Sequence, residues 1–306
     1  MIEAITFIVS ILLLVKGSDM LIDSASKLAK LFGVSDFIIG VTVVALGTSL
    51  PELASDTYAS YIFKGDIVIG DIIGSNITNI ALVLGIICII KPLVVKHTEI
   101  YSGWLHLFIL TAASFILLLG SGIGRITGLV FVLAYVAYLR KVIKEYETIG
   151  VEHVPRNSVI NSIIKLAIGL TGVLIGAKLL VGTIISFAQT FGVPEYTISL
   201  ILMAVGTSLP ELSTAIVAAK KGYSTMALGN IIGSNVANIL WVLGMSALVR
   251  PIHIDSLQIL PAIVMMLLLS VLLIRFKRTQ YTIDKKEGII FLAAYLAFVL
   301  FSIATL

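Results

Sequence analysis

The sequence predicts an all-α polytopic membrane protein with ten transmembrane helices, arranged as two inverted-topology repeats of five. Three observations support this fold class: long apolar runs, an uneven distribution of basic residues between loops, and a polar motif that occurs twice. Of the 306 residues, 58% are hydrophobic and only 12% are charged, and the mean hydropathy is +1.10. Soluble globular proteins carry roughly 25% charged residues. The composition therefore predicts a protein whose main partner is the lipid bilayer.

Ten apolar runs are separated by glycines, prolines and charge clusters. A run of about 20 apolar residues is long enough to cross a hydrocarbon core about 30 Å thick. The runs are continuously apolar, whereas the strands of a membrane barrel alternate between apolar and polar residues. The predicted spans are residues 4–31, 37–62, 66–90, 100–120, 124–141, 158–188, 195–219, 224–249, 254–274 and 287–305.

Basic residues are concentrated on one side of this arrangement. Fifteen lysines and arginines lie in the loops after the odd-numbered spans, against Lys64, Arg125 and Arg250 on the opposite side. By the positive-inside rule, both termini are expected to be extracytoplasmic. Residues 146–157 form the predicted cytoplasmic linker between a first repeat at 1–145 and a second at 158–306. The absence of a large regulatory domain at that point favours the plasma membrane of a prokaryote.

Two segments of the first half recur in the second half at an offset of 159 residues. Phe32–Leu53 aligns with Phe191–Leu212, and both contain GTSLPEL. At the same offset, Gly70–Ile80 (GDIIGSNITNI) aligns with Gly229–Ile239 (GNIIGSNVANI). The offset covers five predicted helices, and because five is odd, the second copy enters the membrane from the opposite side. The second and third spans are therefore expected to face the seventh and eighth.

Each copy of the motif places a glutamate, Glu52 or Glu211, near the centre of a predicted span. An unpaired carboxylate at this depth costs at least several kcal/mol, so such residues are functional candidates. A proline precedes each glutamate. Proline has no N–H, so the carbonyl of the glycine four residues earlier, Gly47 or Gly206, loses its helical partner. Broken helix ends of this kind supply oxygen ligands.

Hydroxyl and amide side chains accompany the two glutamates. An all-oxygen set with two carboxylates suits a hard cation, and six to eight flexible oxygens suit Ca²⁺ better than Mg²⁺. No residue pattern indicates a prosthetic group, and no basic stripe indicates nucleic-acid binding. The members of the set are Thr48, Ser49, Thr207 and Ser208 beside the glutamates, with Ser75, Asn79, Ser234 and Asn238 on the spans that follow.

The paired GTSLPE segments, each followed by a GSN-containing segment, resemble the α-1 and α-2 repeats of the calcium:cation antiporter superfamily. Within it the chain is similar to prokaryotic sodium/calcium exchangers, over the whole ten-helix layout. The resemblance implies alternating access, with the first and sixth spans sliding against a core of the second, third, seventh and eighth. It implies that Glu52 and Glu211 are shared Ca²⁺ carboxylates and that the carbonyls of Ala45 and Ala204 join the cation sites. Some archaeal exchangers have an aspartate where this chain has Asn238, so the central charge here is −2.

These observations predict a secondary antiporter, not an enzyme, that exports Ca²⁺ and is expected to function as a monomer. The counter-ion stays open between Na⁺, which the hydroxyl and carbonyl oxygens suit, and H⁺, which the buried carboxyls could take. The alternative is a Ca²⁺-permeable channel without counter-ion coupling. It differs from an antiporter because its flux does not depend on a monovalent gradient.

Several further polar residues have two interpretations each. Asp56 lies one turn beyond Glu52, at an access route or at a wet helix end. Asp71 and its counterpart Asn230 are placed to cap a helix or to line a peripheral ion pathway. Asp19 corresponds to Lys178 at the repeat offset, as a pair in the bundle or as a contact that snorkels to the interface.

Overall fold

A computed structural model describes residues 2–94, 97–120, 122–145, 156–190, 203–253, 256–278 and 282–304. Most of the predicted linker 146–157 and the beginning of the predicted span 195–219 lie outside these residues. The helices are α1 (Ile2–Phe32), α2 (Asp36–Thr48), α3 (Leu50–Tyr61), α4 (Gly65–Ile90), α5 (His97–Leu119), α6 (Arg125–Glu145), α7 (Arg156–Thr190), α8 (Ala204–Thr207), α9 (Leu209–Lys221), α10 (Ser224–Val249), α11 (Ser256–Arg278) and α12 (Lys285–Ala304).

The fold is mostly helical, as predicted. Among the described residues, six helices are long and apolar enough to cross a membrane, or seven if the bent pair α2 and α3 counts as one span. Large apolar side chains on the outer helices are exposed, as expected for surfaces that face lipid. Leu119, Ile126 and Leu257 are each more than four-fifths exposed. The multi-pass membrane protein is thus confirmed, and the number of ten spans stays a prediction.

Helices α4 and α10 form the buried centre of the bundle. Each contains a π-helical stretch, Thr78–Val83 in α4 and Ala237–Val242 in α10. Helix α2 packs directly on α10 because small residues allow close approach. A Cβ atom added at Gly229 would lie 2.6 Å from the Phe37 carbonyl oxygen, and one added at Gly233 would lie 2.6 Å from that of Val41. The helix that carries the first GTSLPE motif is therefore held against α10.

Helices α1 and α7 form a second close pair beside this centre. A Cβ atom added at Gly17 would lie 2.8 Å from the carbonyl oxygen of Gly169 and 2.8 Å from the backbone nitrogen of Val173. Helix α1 also contacts α9, where the Ser18 hydroxyl donates to the Ser213 hydroxyl over 2.9 Å. The glycines let two long helices pack backbone to backbone, and polar contacts connect this pair to the rest of the bundle.

The outer helices cover the centre and are joined at their ends by short strands. Helix α12 packs on α4, and α6 packs on the last turns of α10. The strands are β1 (Leu93–Val94), β2 (Gly122–Ile123), β3 (Ile252–His253) and β4 (Thr282–Ile283). β1 pairs antiparallel with β4, and β2 pairs antiparallel with β3. Each pair joins one segment from the first half of the chain to one from the second half.

Candidate functional site

Both copies of GTSLPE break their helix at the serine. Ser49 has φ −84° and ψ 11°, and Ser208 has φ −82° and ψ 3°, so neither continues the helix. The axis bends by 44° between α2 and α3. The proline stands at the start of the next helix, where its missing N–H is tolerated. Each glutamate therefore lies in the first turn of a new helix, α3 or α9, where the helix dipole favours negative charge.

The two glutamates are fully buried and close enough to interact electrostatically. Oε1 of Glu211 accepts hydrogen bonds from the Ser49 hydroxyl (3.2 Å) and the Ser234 hydroxyl (3.1 Å). Ser49 belongs to the first copy of the motif and Glu211 to the second, so the copies meet at this carboxyl. Neither oxygen of Glu52 has a hydrogen-bond partner on another described residue. A buried carboxyl without donors is suited to a cation, which supplies the missing positive charge.

Amide side chains in and just before the π-helical stretches lie in the same buried region. Asn79 donates through Nδ2 to Oδ1 of Asn235 over 3.0 Å, and Asn235 donates to the Asn76 carbonyl over 3.3 Å. Asn238 is fully buried, and its amide has no hydrogen-bond partner among the described residues. π-helical turns inside α-helices occur frequently at functional sites. Oriented amide oxygens are thus available at the centre of the bundle.

Two threonines carry the hydroxyl oxygens at the helix breaks. The Thr48 hydroxyl lies 3.1 Å from the Val44 carbonyl oxygen and 3.3 Å from the Ala45 carbonyl oxygen. Thr207 lies 3.1 Å from the Met203 carbonyl and 3.4 Å from the Ala204 carbonyl. The carbonyls of Ala45 and Ala204 therefore lie beside the threonine hydroxyls, and their part in cation binding stays a prediction. Thr207 is also 3.3 Å from the Ser75 hydroxyl, which joins α8 to α4.

The structure buries the predicted set and brings two groups of it into direct contact, Ser49 and Ser234 with Glu211, and Ser75 with Thr207. Glu52, Thr48, Ser49, Ser75, Asn79, Ser208, Glu211, Ser234 and Asn238 are all buried, and Thr207 is 9% exposed. Ser208 is buried without a hydrogen bond to another member of the set. Whether these residues bind ions is not tested by the contacts, so the ligand assignment stays a prediction.

Asp71 and Asn230 each hydrogen-bond to a threonine of a helix break, and the sequence left two interpretations open for both. Asp71 lies in the second turn of α4 and accepts a hydrogen bond from Thr207 (3.3 Å), so it does not cap the helix. Asn230 accepts from Thr48 (3.2 Å) and donates to Thr214 (3.1 Å), so it does not cap α10. The capping interpretation is therefore wrong for both. The two residues occupy equivalent positions in the two repeats, and this equivalence was the sequence signal that each would make a similar contact.

The packing excludes one interpretation each for Asp56 and Asp19. Asp56 is fully buried, so it does not lie at a wet helix end. Asp19 pairs with Lys221 (3.2 Å), which also contacts Asp23 (2.8 Å). The expected partner of Asp19, Lys178, is exposed on α7. The pairing of Asp19 with Lys178 is not observed among the described residues, where Lys221 on α9 pairs with Asp19 instead.

Comparison with known proteins extends these observations. The family model described as sodium/calcium exchanger protein matches residues 2–144 and 161–304. The chain belongs to the sodium/calcium exchanger family. The sodium/calcium exchanger MaX1 of Methanosarcina acetivorans is 33% identical, with 95% of each chain covered. An uncharacterized membrane protein of Methanocaldococcus jannaschii is 37% identical over 95% of this chain and 94% of its own. The solved sodium-calcium exchanger NCX_Mj matches with a TM-score of 0.88 and 35% identity, covering 99% of this chain and 98% of that one.

Membership in the sodium/calcium exchanger family confirms the predicted resemblance. MaX1 and NCX_Mj are exchangers by name, and the chain is a membrane antiporter of the calcium-transport class and not an enzyme. The site agrees with this class chemically. Its side chains offer carboxylate, hydroxyl and amide oxygens and no sulfur, and Ca²⁺ and Na⁺ are both hard cations that oxygen ligands bind.

Proposed function

We propose that this exchanger is a secondary antiporter that moves Ca²⁺ out of the cell in exchange for Na⁺ by alternating access. The observation that carries the proposal is the meeting of Glu52 and Glu211 at two facing helix breaks, with the Glu52 carboxyl buried and without a donor from another described residue. Charged groups buried in this way mark ion pathways in membrane proteins.

The shared carboxylates explain why the two ions exchange. Glu52 and Glu211 together carry a formal charge of −2, which one Ca²⁺ neutralises. The same carboxylates cannot hold Ca²⁺ while they bind the counter-ion, so the two ions compete for one site. An uncompensated charge of −2 inside the membrane is unfavourable, so the carrier changes between its outward-facing and inward-facing states only when ions compensate that charge. This requirement couples the flux of one ion to the flux of the other.

Na⁺ is the proposed counter-ion on two grounds. Hydroxyl and carbonyl oxygens around Thr48, Thr207, Ala45 and Ala204 are all present at the helix breaks. The related MaX1 and NCX_Mj are both named sodium/calcium exchangers. Protonation of the two carboxylates is the competing mechanism, and the flux experiment below separates it from Na⁺ binding.

We further propose ten spans in two inverted repeats, 1–145 and 158–306, joined by the linker 146–157, with both termini extracytoplasmic. Equivalent features at the repeat offset support this. The helix breaks at Ser49 and Ser208 correspond, as do the π-helical stretches Thr78–Val83 and Ala237–Val242. The close pair α1 and α7 is proposed to slide against the centre, and a single chain is proposed to suffice for transport.

The test is uptake of radioactive Ca²⁺ into proteoliposomes. We expect uptake when the vesicles contain Na⁺ and the outside does not, and no uptake with an outward H⁺ gradient in the absence of Na⁺. Glu52→Gln and Glu211→Gln are each expected to abolish uptake without loss of the folded, monodisperse protein. Glu287→Gln, a glutamate outside the site at the start of α12, is the matched control and keeps wild-type uptake.

Two results would contradict this proposal. Uptake driven only by H⁺ would replace Na⁺ with protons as the counter-ion. Uptake that follows the Ca²⁺ gradient alone, with no dependence on either monovalent gradient, would make the protein a channel.

A further inference from the structure

A second pair of buried carboxyl groups lies next to the central glutamates. Asp56 is on α3 and fully buried, and Asp71 is on α4 and 3% exposed. Asp56 follows Glu52 by one turn, about 6 Å along the helix. Both aspartates lie close enough to Glu52 for the like charges to repel one another. The pair is therefore outside the central site but continuous with it.

Asp56 has no donor to satisfy it. Both of its oxygens are buried, and among the described residues the group that its carboxyl approaches is the carboxyl of Asp71. Two carboxylates only accept hydrogen bonds, so they cannot satisfy each other without a proton or a cation. Asp71 accepts from the Thr207 hydroxyl over 3.3 Å, and the Ser75 hydroxyl is a second donor beside it. Basic side chains do not neutralise the pair within the described residues, where Lys221 pairs with Asp19 and Asp23 instead.

The other half of the molecule shows that the fold does not need these charges. At the repeat offset, Asp56 corresponds to Ala215 and Asp71 corresponds to Asn230. Both ends of the Asn230 amide are engaged, through Thr48 (3.2 Å) and Thr214 (3.1 Å). A neutral and fully hydrogen-bonded arrangement thus exists at the equivalent position. The acidic version leaves the buried carboxyl oxygens of Asp56 unsatisfied, which is costly unless a proton or a cation lies between the two carboxyls.

We propose that Asp56 and Asp71, together with the Thr207 hydroxyl, form a second site for a hard cation, Ca²⁺ or Na⁺. The site lies on one of the two paths to the central glutamates and not on the other. It rests on the proposed function, since it holds a cation that enters or leaves the central site. Its two carboxylates and one hydroxyl are fewer than the six to eight oxygens that Ca²⁺ takes, so waters complete the shell.

Direct binding tests the site without any transport. Glu52→Gln/Glu211→Gln protein in detergent is dialysed against radioactive Ca²⁺, with Na⁺ added as a competitor in a parallel series. We expect this protein to retain Ca²⁺ binding and to lose it when Asp56→Ala and Asp71→Asn are added. The added residues are those that the other half already carries at these positions. Ca²⁺ binding that is the same with and without the two aspartates would overturn the proposal, and displacement by Na⁺ would identify both ions as ligands.

Transport from each side provides the second readout. With Glu52 and Glu211 intact, Asp56→Ala/Asp71→Asn is expected to raise the half-saturating Ca²⁺ concentration roughly tenfold on one face of the membrane only, because two charges near the path are lost. Asp71→Asn alone serves as the milder variant if the double variant is poorly folded. If the half-saturating Ca²⁺ concentrations of both variants are the same as those of the wild type on both faces, the site is refuted. Absence of Ca²⁺ exchange by the wild-type protein would refute the proposed function instead. The dialysis experiment would still show whether the second site binds Ca²⁺.

Discussion

Gly17 lies where the backbone of α1 touches that of α7, and replacing it with alanine tests how tightly the two helices are joined. A Cβ atom there would be 2.8 Å from Gly169 O and 2.8 Å from Val173 N, both backbone atoms that cannot rotate away. Ordinary contact begins at 3.4 Å, so the helices must separate locally. The required shift is about 0.6 Å, and overpacking of this kind typically costs about 1–3 kcal/mol.

An opposing term reduces this penalty. Alanine favours a helix over glycine by about 1 kcal/mol in the helix interior. We therefore expect Gly17→Ala to lower the free energy of unfolding by roughly 1 kcal/mol, within a range of about 0–2 kcal/mol, which is the steric penalty less the propensity gain. The measurement is reversible unfolding by SDS in mixed micelles, followed by circular dichroism.

Gly124→Ala is the matched control. It adds the same methyl group at a position where no atom lies within 4 Å. Its unfolding free energy is expected to change by less than about 0.5 kcal/mol. If Gly17→Ala and Gly124→Ala are equally stable, the close packing of α1 on α7 does not contribute to stability in the way described.

Two further predictions concern polar contacts. Ser49→Ala removes a donor from Glu211, and because a hydrogen bond to a charged group contributes about 1.5–3 kcal/mol, the half-saturating Ca²⁺ concentration should rise roughly tenfold or more. Ser270→Ala, which removes a hydroxyl bonded to the Met266 carbonyl of its own helix, should leave that concentration unchanged; equal values for the two variants would count against the role of Ser49. Lys221→Gln breaks the ion pairs to Asp19 and Asp23, yet Lys221 is 27% exposed, so the loss of stability should stay below about 1 kcal/mol and shrink as salt is added. A larger loss, measured by SDS unfolding and independent of salt, would contradict this.

Local signals predicted the helices and the breaks well. Apolar runs bounded by glycine and charge indicated helices whose ends differ from those of the structure by a few residues in most cases, as for 66–90 and Gly65–Ile90. Proline in GTSLPE indicated where each motif helix is interrupted, and the structure has the interruption at Ser49 and Ser208. These features depend on residues within one or two turns, so they can be inferred without the packing.

Contacts between the halves were harder to infer. Asn76 and Asn235 belong to the repeated GSN triplets but were not singled out, although the Asn235 amide connects α10 to α4 through the Asn79 side chain and the backbone carbonyl of Asn76. A polar residue that recurs at the same place in both copies was the signal available. Its orientation depended on the π-helical stretches that follow, and π-helical turns have no clear sequence signature.

The sequence by itself determined a membrane protein, the paired motifs, the two buried glutamates and the oxygen-only chemistry of their surroundings. Hydropathy and proline act on the local backbone, and the repeat offset follows from aligning the sequence with itself. These features can therefore be inferred from the sequence without knowledge of the packing. Only the tertiary structure decided that Ser49 donates to Glu211 across the halves, that Asp71 meets Thr207, and that Asp19 pairs with Lys221. These partners are more than 130 residues apart, and which side chains meet over that separation depends on how glycine-lined helices pack against one another.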